Sequence, residues 1–169
     1  MSEKIRIVMI DDEEELCQLV KANLEDKGEF QVATSTNPEQ AENFIRQQNP
    51  DLILLDNIMP KRKGSEIVKT LKKDEATRRI PIIMISGKGE MVYNRKKGEF
   101  KWVPNNPVVR DRGPLPDVKG AEALAQAYGV DDYVSKPFTT DILVEVIQDV
   151  LKRKRKPTEE KPEEPSVGV

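Results

Sequence analysis

Histidine is absent from this 169-residue chain, and cysteine occurs once, at Cys17. Without an imidazole there is no Ser-His-Asp or Cys-His catalysis and no histidine-ligated metal. One cysteine builds neither an internal disulfide nor a zinc ribbon. Cys17 lies in the helical pattern LCQLVKANL, the place of a half-buried small hydrophobe and not of a reactive thiol. Long apolar runs are missing too: none approaches the roughly 18 residues of a membrane span. The N-terminal MSEKIRIVMIDDEE turns acidic too soon for a secretory leader. Charge is nearly balanced, 28 basic against 30 acidic residues, so no overall field steers the chain toward nucleic acid. A cytoplasmic protein without membrane association is the expectation. Its chemistry is left to carboxylates, hydroxyls, lysines and a hard metal ion.

What is present is an alternation of two periodicities. KIRIVMI (4–10), FQVAT (30–34), LILLD (52–56), IPIIMIS (80–86) and DDYVS (131–135) read as strands. Between them, Leu16, Leu19, Val20 and Leu24 mark one helix, stopped by Gly28. Ala41, Phe44 and Ile45 mark a second, entered through Asn37 as N-cap and Pro38. Ile67, Val68 and Leu71 mark a third, and Ala121, Leu124, Ala125 and Tyr128 sketch a fourth, ended by Gly129. Thr139 to Lys152 carries a broad stripe of Ile142, Leu143, Val146, Ile147, Val150 and Leu151. Five strands without polar alternation, each followed by a helix, predict an α/β fold with a parallel sheet buried on both faces.

In such a sheet, ligands bind beyond the carboxyl ends of the strands. Strand one ends in Asp11-Asp12, strand three in Asp56, strand four in Ser86, and strand five runs into Lys136-Pro137. Three carboxylates brought together repel and call for a cation. With no nitrogen or sulfur ligands, the fitting ion is Mg2+. A carboxylate beside Mg2+, an ammonium and a hydroxyl is equipped to accept a phosphoryl group, with the aspartate oxygen as nucleophile.

The segments IDDEE (10–14), DNIMPKRKG (56–64), PIIMISGKGE (81–90) and DDYVSKPF (131–138) resemble the receiver domains of two-component response regulators. The resemblance covers residues 4 to about 152 apart from one insertion. It implies a flavodoxin-like (CheY-like) doubly wound five-stranded sheet, order 2-1-3-4-5. It implies Asp56 as phosphoacceptor, Asp12 as a direct Mg2+ ligand, Asp11 as a ligand mainly through water, and the Ile58 carbonyl as the last protein ligand. Lys136 would contact the phosphoryl group, Ser86 would donate its hydroxyl to it, Tyr133 would be the switch aromatic, and Lys136-Pro137 a cis peptide. The donor would be a phosphohistidine on a sensor kinase or phosphotransfer protein. The chain would be a switch, not an enzyme, beyond self-phosphorylation from small donors and autodephosphorylation. Ile58 stands where many relatives carry a polar side chain, and an apolar group there cannot orient an attacking water.

Two stretches break the rhythm. Residues 87–120 fill a connection that about 2–6 residues would make, and hold the only tryptophan, Trp102, with Tyr93 and Phe100. VYNRKKGEFKWV within it predicts a hairpin turning near Lys97-Gly98. Docking of a protein partner, or self-association as a homodimer, is the expectation for this insertion. Four acids among its eight basic residues argue against nucleic acid. KPTEEKPEEPSVGV (156–169) reads as a disordered acidic, proline-rich tail, leaving 1–155 as the receiver domain. LKRKRKP (151–157) reads as a solvated helix end. Two functions follow: a stand-alone receiver that signals to a protein partner when phosphorylated, or a receiver-like scaffold whose insertion binds whatever the state of Asp56. A phosphatase or phosphotransferase using an aspartyl phosphate is disfavoured, because Ile58 stands where its second acid would be.

Overall fold

The computed structural model describes residues 2–86, 90–94, 99–103, 125, 126 and 128–155. Its elements are β1 (Ile5–Ile10), α1 (Glu14–Asp26), β2 (Phe30–Ser35), α2 (Ala41–Gln48), β3 (Leu52–Asp56), α3 (Gly64–Lys73), β4 (Ile82–Ser86), β5 (Glu90–Asn94), β6 (Glu99–Val103), β7 (Asp132–Ser135) and α4 (Thr140–Arg155). One five-stranded sheet runs in the order β2-β1-β3-β4-β7 with every pair parallel. Counted among sheet strands alone, that is the order 2-1-3-4-5 implied by the resemblance. The remaining strands, β5 and β6, pair antiparallel with Glu90 opposite Val103 and Asn94 opposite Glu99. The two strands of the hairpin expected within the insertion are therefore paired, while its turn near Lys97-Gly98 lies outside the described residues. The rest of the insertion and the tail, including the disorder expected of 156–169, lie outside the described residues.

Alternation along β1 shows why both faces are apolar. Ile7 and Met9 pack with Cys17, Leu24, Leu143 and Ile147, under α1 and α4. Val8 and Ile10 pack with Ala41, Ile45, Ile67 and Leu71, under α2 and α3. Leu52 to Leu55 are completely buried, each contributing roughly 1.5–3 kcal/mol of apolar burial. A strand held on both faces is a stiff mount for whatever follows it.

Local chemistry sets the helix ends. Asn37 Oδ1 accepts the Glu39 N–H (3.1 Å), capping a short 3-10 turn at Pro38–Gln40 that leads into α2. Gly129, at φ 70°, ends the helical residues around Tyr128. At β2, which pairs with β1 alone, Lys21 Nζ donates to the Val32 carbonyl (2.5 Å) and Glu25 Oε1 accepts the Val32 N–H (3.0 Å).

Three expectations need correction. Leu19 is 57% exposed and stands outside the core stripe, because Cys17 takes the inward position together with Val20 and Leu24. Cys17 is accordingly fully buried, not half-buried. The basic helix end is also not simply solvated: Arg153 pairs with Asp132 (2.8 Å) and Lys154 with Asp131 (2.9 Å), tying α4 to the start of β7. Among the described residues, no helix is long and apolar enough to cross a membrane.

Candidate functional site

The parallel register brings the strand ends to one edge. Ile10 lies beside Leu55, Asp56 beside Ile85, and Ser86 beside Ser135. Asp11, Asp12 and Asp56 consequently offer carboxylate oxygens that all lie within 4.8 Å of one another. Lys136, one residue beyond β7, reaches the same point, with Nζ 2.8 Å from Asp11 Oδ2, 3.2 Å from Glu13 Oε1 and 3.8 Å from Asp56 Oδ1. The Lys136-Pro137 peptide is cis, as the resemblance implies.

Burial makes this cluster electrostatically demanding. Asp11 is 0% and Asp56 3% exposed. Desolvation, reinforced by the charge of Asp11, pushes Asp56 from 3.8 up to about 7, with Lys136 only partly opposing it. Asp11 is raised as well, by desolvation, although the contact with Lys136 and the Glu13 N–H pull the other way. Desolvation pulls Lys136 down, but hydrogen bonding to Asp11 and the charge of Asp56 raise it overall, so it is an ammonium at neutral pH. Among the described residues, Lys136 is shared by Asp11, Glu13 and Asp56, with the Asp12 carboxylate beside them. The buried Oδ1 of Asp12 has no hydrogen-bond partner among the described residues. An orphaned carboxylate oxygen within an all-oxygen donor set fits a hard divalent ion and no soft one.

The loop from Asp56 to α3 is pinned at its base. The Gly64 N–H donates to the Asn57 carbonyl (2.8 Å), and Asn57 Oδ1 accepts from the Ser65 N–H (3.1 Å). A Cβ added at Gly64 would stand 2.3 Å from the Asp56 carbonyl oxygen, so only glycine fits. Farther out, Arg62 N–H closes a three-residue turn onto the Pro60 carbonyl (2.9 Å) about Lys61, whose φ is 71°. For a lysine that conformation costs on the order of 1–3 kcal/mol. Ile58, half-buried, lies within this loop.

The other anticipated residues are placed as follows. Ser86 ends β4 beside Ser135, on the site's edge of the sheet. Tyr133 is 2% exposed, its ring stacked on Tyr128 with centroids 6.3 Å apart. Sequence reasoning missed Glu13, which shares Lys136 with the aspartates, although the third acid of IDDEE was there to be read. It also missed the Arg62–Glu42 pair, for which no spacing rule exists.

Comparison with known proteins identifies the family and agrees with the fold. A family model described as response regulator receiver domain matches residues 7–99. The phosphate regulon transcriptional regulatory protein PhoB of Pseudomonas aeruginosa is 33% identical over 87% of this chain and 52% of its own length. The chain spans about half the length of the curated relatives it matches. A CheY-like response regulator receiver domain protein from Methanospirillum hungatei superposes with a TM-score of 0.63 at 20% identity, covering 90% of this chain and 97% of its own. The chemotaxis protein CheY4 of Vibrio cholerae does so with a TM-score of 0.63 at 21% identity, covering 87% and 98%. These last two likenesses are of fold. The expectation that nucleic acid is an unlikely partner finds no support among such relatives, since PhoB is by name a transcriptional regulator.

Proposed function

Because the chain belongs to the response regulator receiver domain family, we propose that it is a phosphorylation switch in which Asp56 accepts a phosphoryl group from a phosphohistidine on a partner kinase or phosphotransfer protein. The observation that carries this is the convergence of Asp11, Asp12 and Asp56 within 4.8 Å, with Lys136 3.8 Å from Asp56. Asp11, Asp12, Asp56 and the Ile58 carbonyl would hold Mg2+. The bound ion would neutralise charge on the transferring phosphoryl oxygens.

The chain's own groups do the rest. Ionised Asp56 attacks phosphorus in line: its Oδ–P bond forms as the partner's N–P bond breaks, and the electron pair leaves with the imidazole nitrogen. Lys136 supplies fixed positive charge beside the acceptor. The new acyl phosphate draws Ser86 and Lys136 toward its oxygens, biasing the ends of β4 and β7. Tyr133, now buried on Tyr128, is the side chain through which that bias reaches a protein partner. The domain so defined is residues 1–155.

Intact mass after incubation with Mg2+ and acetyl phosphate tests the reading. A single adduct of about 80 Da, lost in Asp56→Ala and without Mg2+, supports it. No adduct in the wild type overturns it. The pairing of β5 with β6 favours a second reading, in which the insertion docks a protein whatever the state of Asp56. Equal partner affinity for phosphorylated protein and Asp56→Ala marks that reading, and unequal affinity removes it.

A further inference from the structure

A second concentration of charge sits at the outer end of the β3–α3 loop. Glu42, in the first turn of α2, is 8% exposed, and both of its oxygens accept from Arg62: Nη1 donates to Oε2 at 2.6 Å and Nη2 to Oε1. Arg62 also donates to the Pro38 carbonyl (3.4 Å) and to Thr70 Oγ1 (3.3 Å). Its neighbour Lys61 pairs with Glu39 at 3.6 Å. A guanidinium fork on a carboxylate fixes orientation as well as distance. Burial pushes the Glu42 carboxyl up, but the Arg62 hydrogen bonds outweigh it and hold the group below the usual range.

What this clamp holds is the segment between Asp56 and Gly64. Its base is fixed by the Gly64–Asn57 hydrogen bond, and its far side contains the strained turn at Lys61. A positive φ at a lysine persists only where the surroundings impose it. Arg62, the next residue, is anchored to a different helix and supplies that constraint. Both restraints bracket Ile58.

We propose that Arg62 and Glu42 form a positioning pair for the cation site, holding residues 57–63, and with them the Ile58 carbonyl, in the geometry that receives a divalent ion beside Asp56. The inference rests on the reading of that site given above. An ordered loop binds the ion without a further ordering cost, and loss of such outer supports typically weakens metal affinity about 10–100-fold.

The test is calorimetric titration of the full chain with Mg2+, in wild type, Glu42→Gln and Arg62→Lys. It is paired with amide exchange in the metal-free proteins. Glu42→Gln weakens Mg2+ binding about tenfold and speeds exchange between Asn57 and Lys63, while β1 and β3 stay protected. Arg62→Lys keeps the charge but loses the fork, and falls between the two. Affinity within about twofold of wild type in folded Glu42→Gln overturns the proposal and leaves the pair a structural tie alone. If that variant does not fold, Arg62→Lys is read by the same criterion. A wild type that binds no Mg2+ overturns the reading of the site itself, and that result precedes any variant.

Discussion

Lys136 sits closer to Asp11 than to Asp56: its ammonium is 2.8 Å from Asp11 Oδ2 and 3.8 Å from Asp56 Oδ1. The residue that the family would place against the phosphoryl group thus spends its charge on the innermost carboxylate. Burial and the charge of Asp11 push the Asp56 carboxyl up to about 7, and the more distant Lys136 opposes them only in part. Asp11, Asp12 and Asp56 would hold a divalent ion, whose charge would favour the ionised carboxylate that Asp56 needs as nucleophile.

The pH dependence follows with a definite sign. Folded Asp56 titrates near 7 and the unfolded carboxyl near 3.8, so between these values the native state binds more protons. Stability of the metal-free protein therefore falls as pH rises from about 4 to about 7. The raised Asp11 and Asp132 act in the same direction. The lowered Glu25, Glu42 and Asp74 contribute only at more acid pH, where their stabilisation is lost. Urea midpoints in chelator, measured at pH 5, 6 and 7.5, descend in that order, and Mg2+ restores the loss at pH 7.5. A rising series would contradict the burial argument.

Asp56→Asn keeps the shape and removes the ionisation. At pH 7.5 without metal it stabilises the fold by about 1–3 kcal/mol, and it flattens the slope just described. Chemical denaturation of both proteins measures this directly, and a destabilised Asn variant rejects it.

Gly64→Ala acts on the nucleophile through the backbone. The added methyl would meet the Asp56 carbonyl at 2.3 Å, so β3 and α3 must separate. The expected cost is about 2–3 kcal/mol of stability, with slowed phosphorylation by acetyl phosphate. A variant matching wild type in both would show that the contact yields freely.

Ile58 presents no polar group to a water attacking the acyl phosphate. The phosphorylated protein accordingly persists for minutes or longer at room temperature, and Ile58→Asn shortens its life. Decay of the phosphoryl adduct, followed by intact mass, gives the number. A wild-type half-life of seconds removes the idea.

Much of this was legible before any geometry. Leu52–Asp56 is the strand that LILLD announces, because a strand buried on both faces leaves an uninterrupted apolar run. Asp11, Asp12, Asp56 and Lys136 could be placed together because parallel topology puts all strand ends on one edge. Leu19 could not, since a 3.6-residue period does not say where a broad apolar stripe stops. Arg62 and Glu42 stood beyond reach for another reason: a tertiary ion pair between residues 20 apart leaves no periodic trace.

Lys21 and Glu25 have a consequence for the molecule among its own copies. Together they occupy the Val32 carbonyl and N–H at the free side of β2. A strand from a neighbouring chain that sought to extend the sheet there would first have to displace an ammonium and a carboxylate already hydrogen-bonded to the backbone. At Val32 that margin resists edge-to-edge growth, and with it one route from a crowded solution of folded protein to cross-β aggregate.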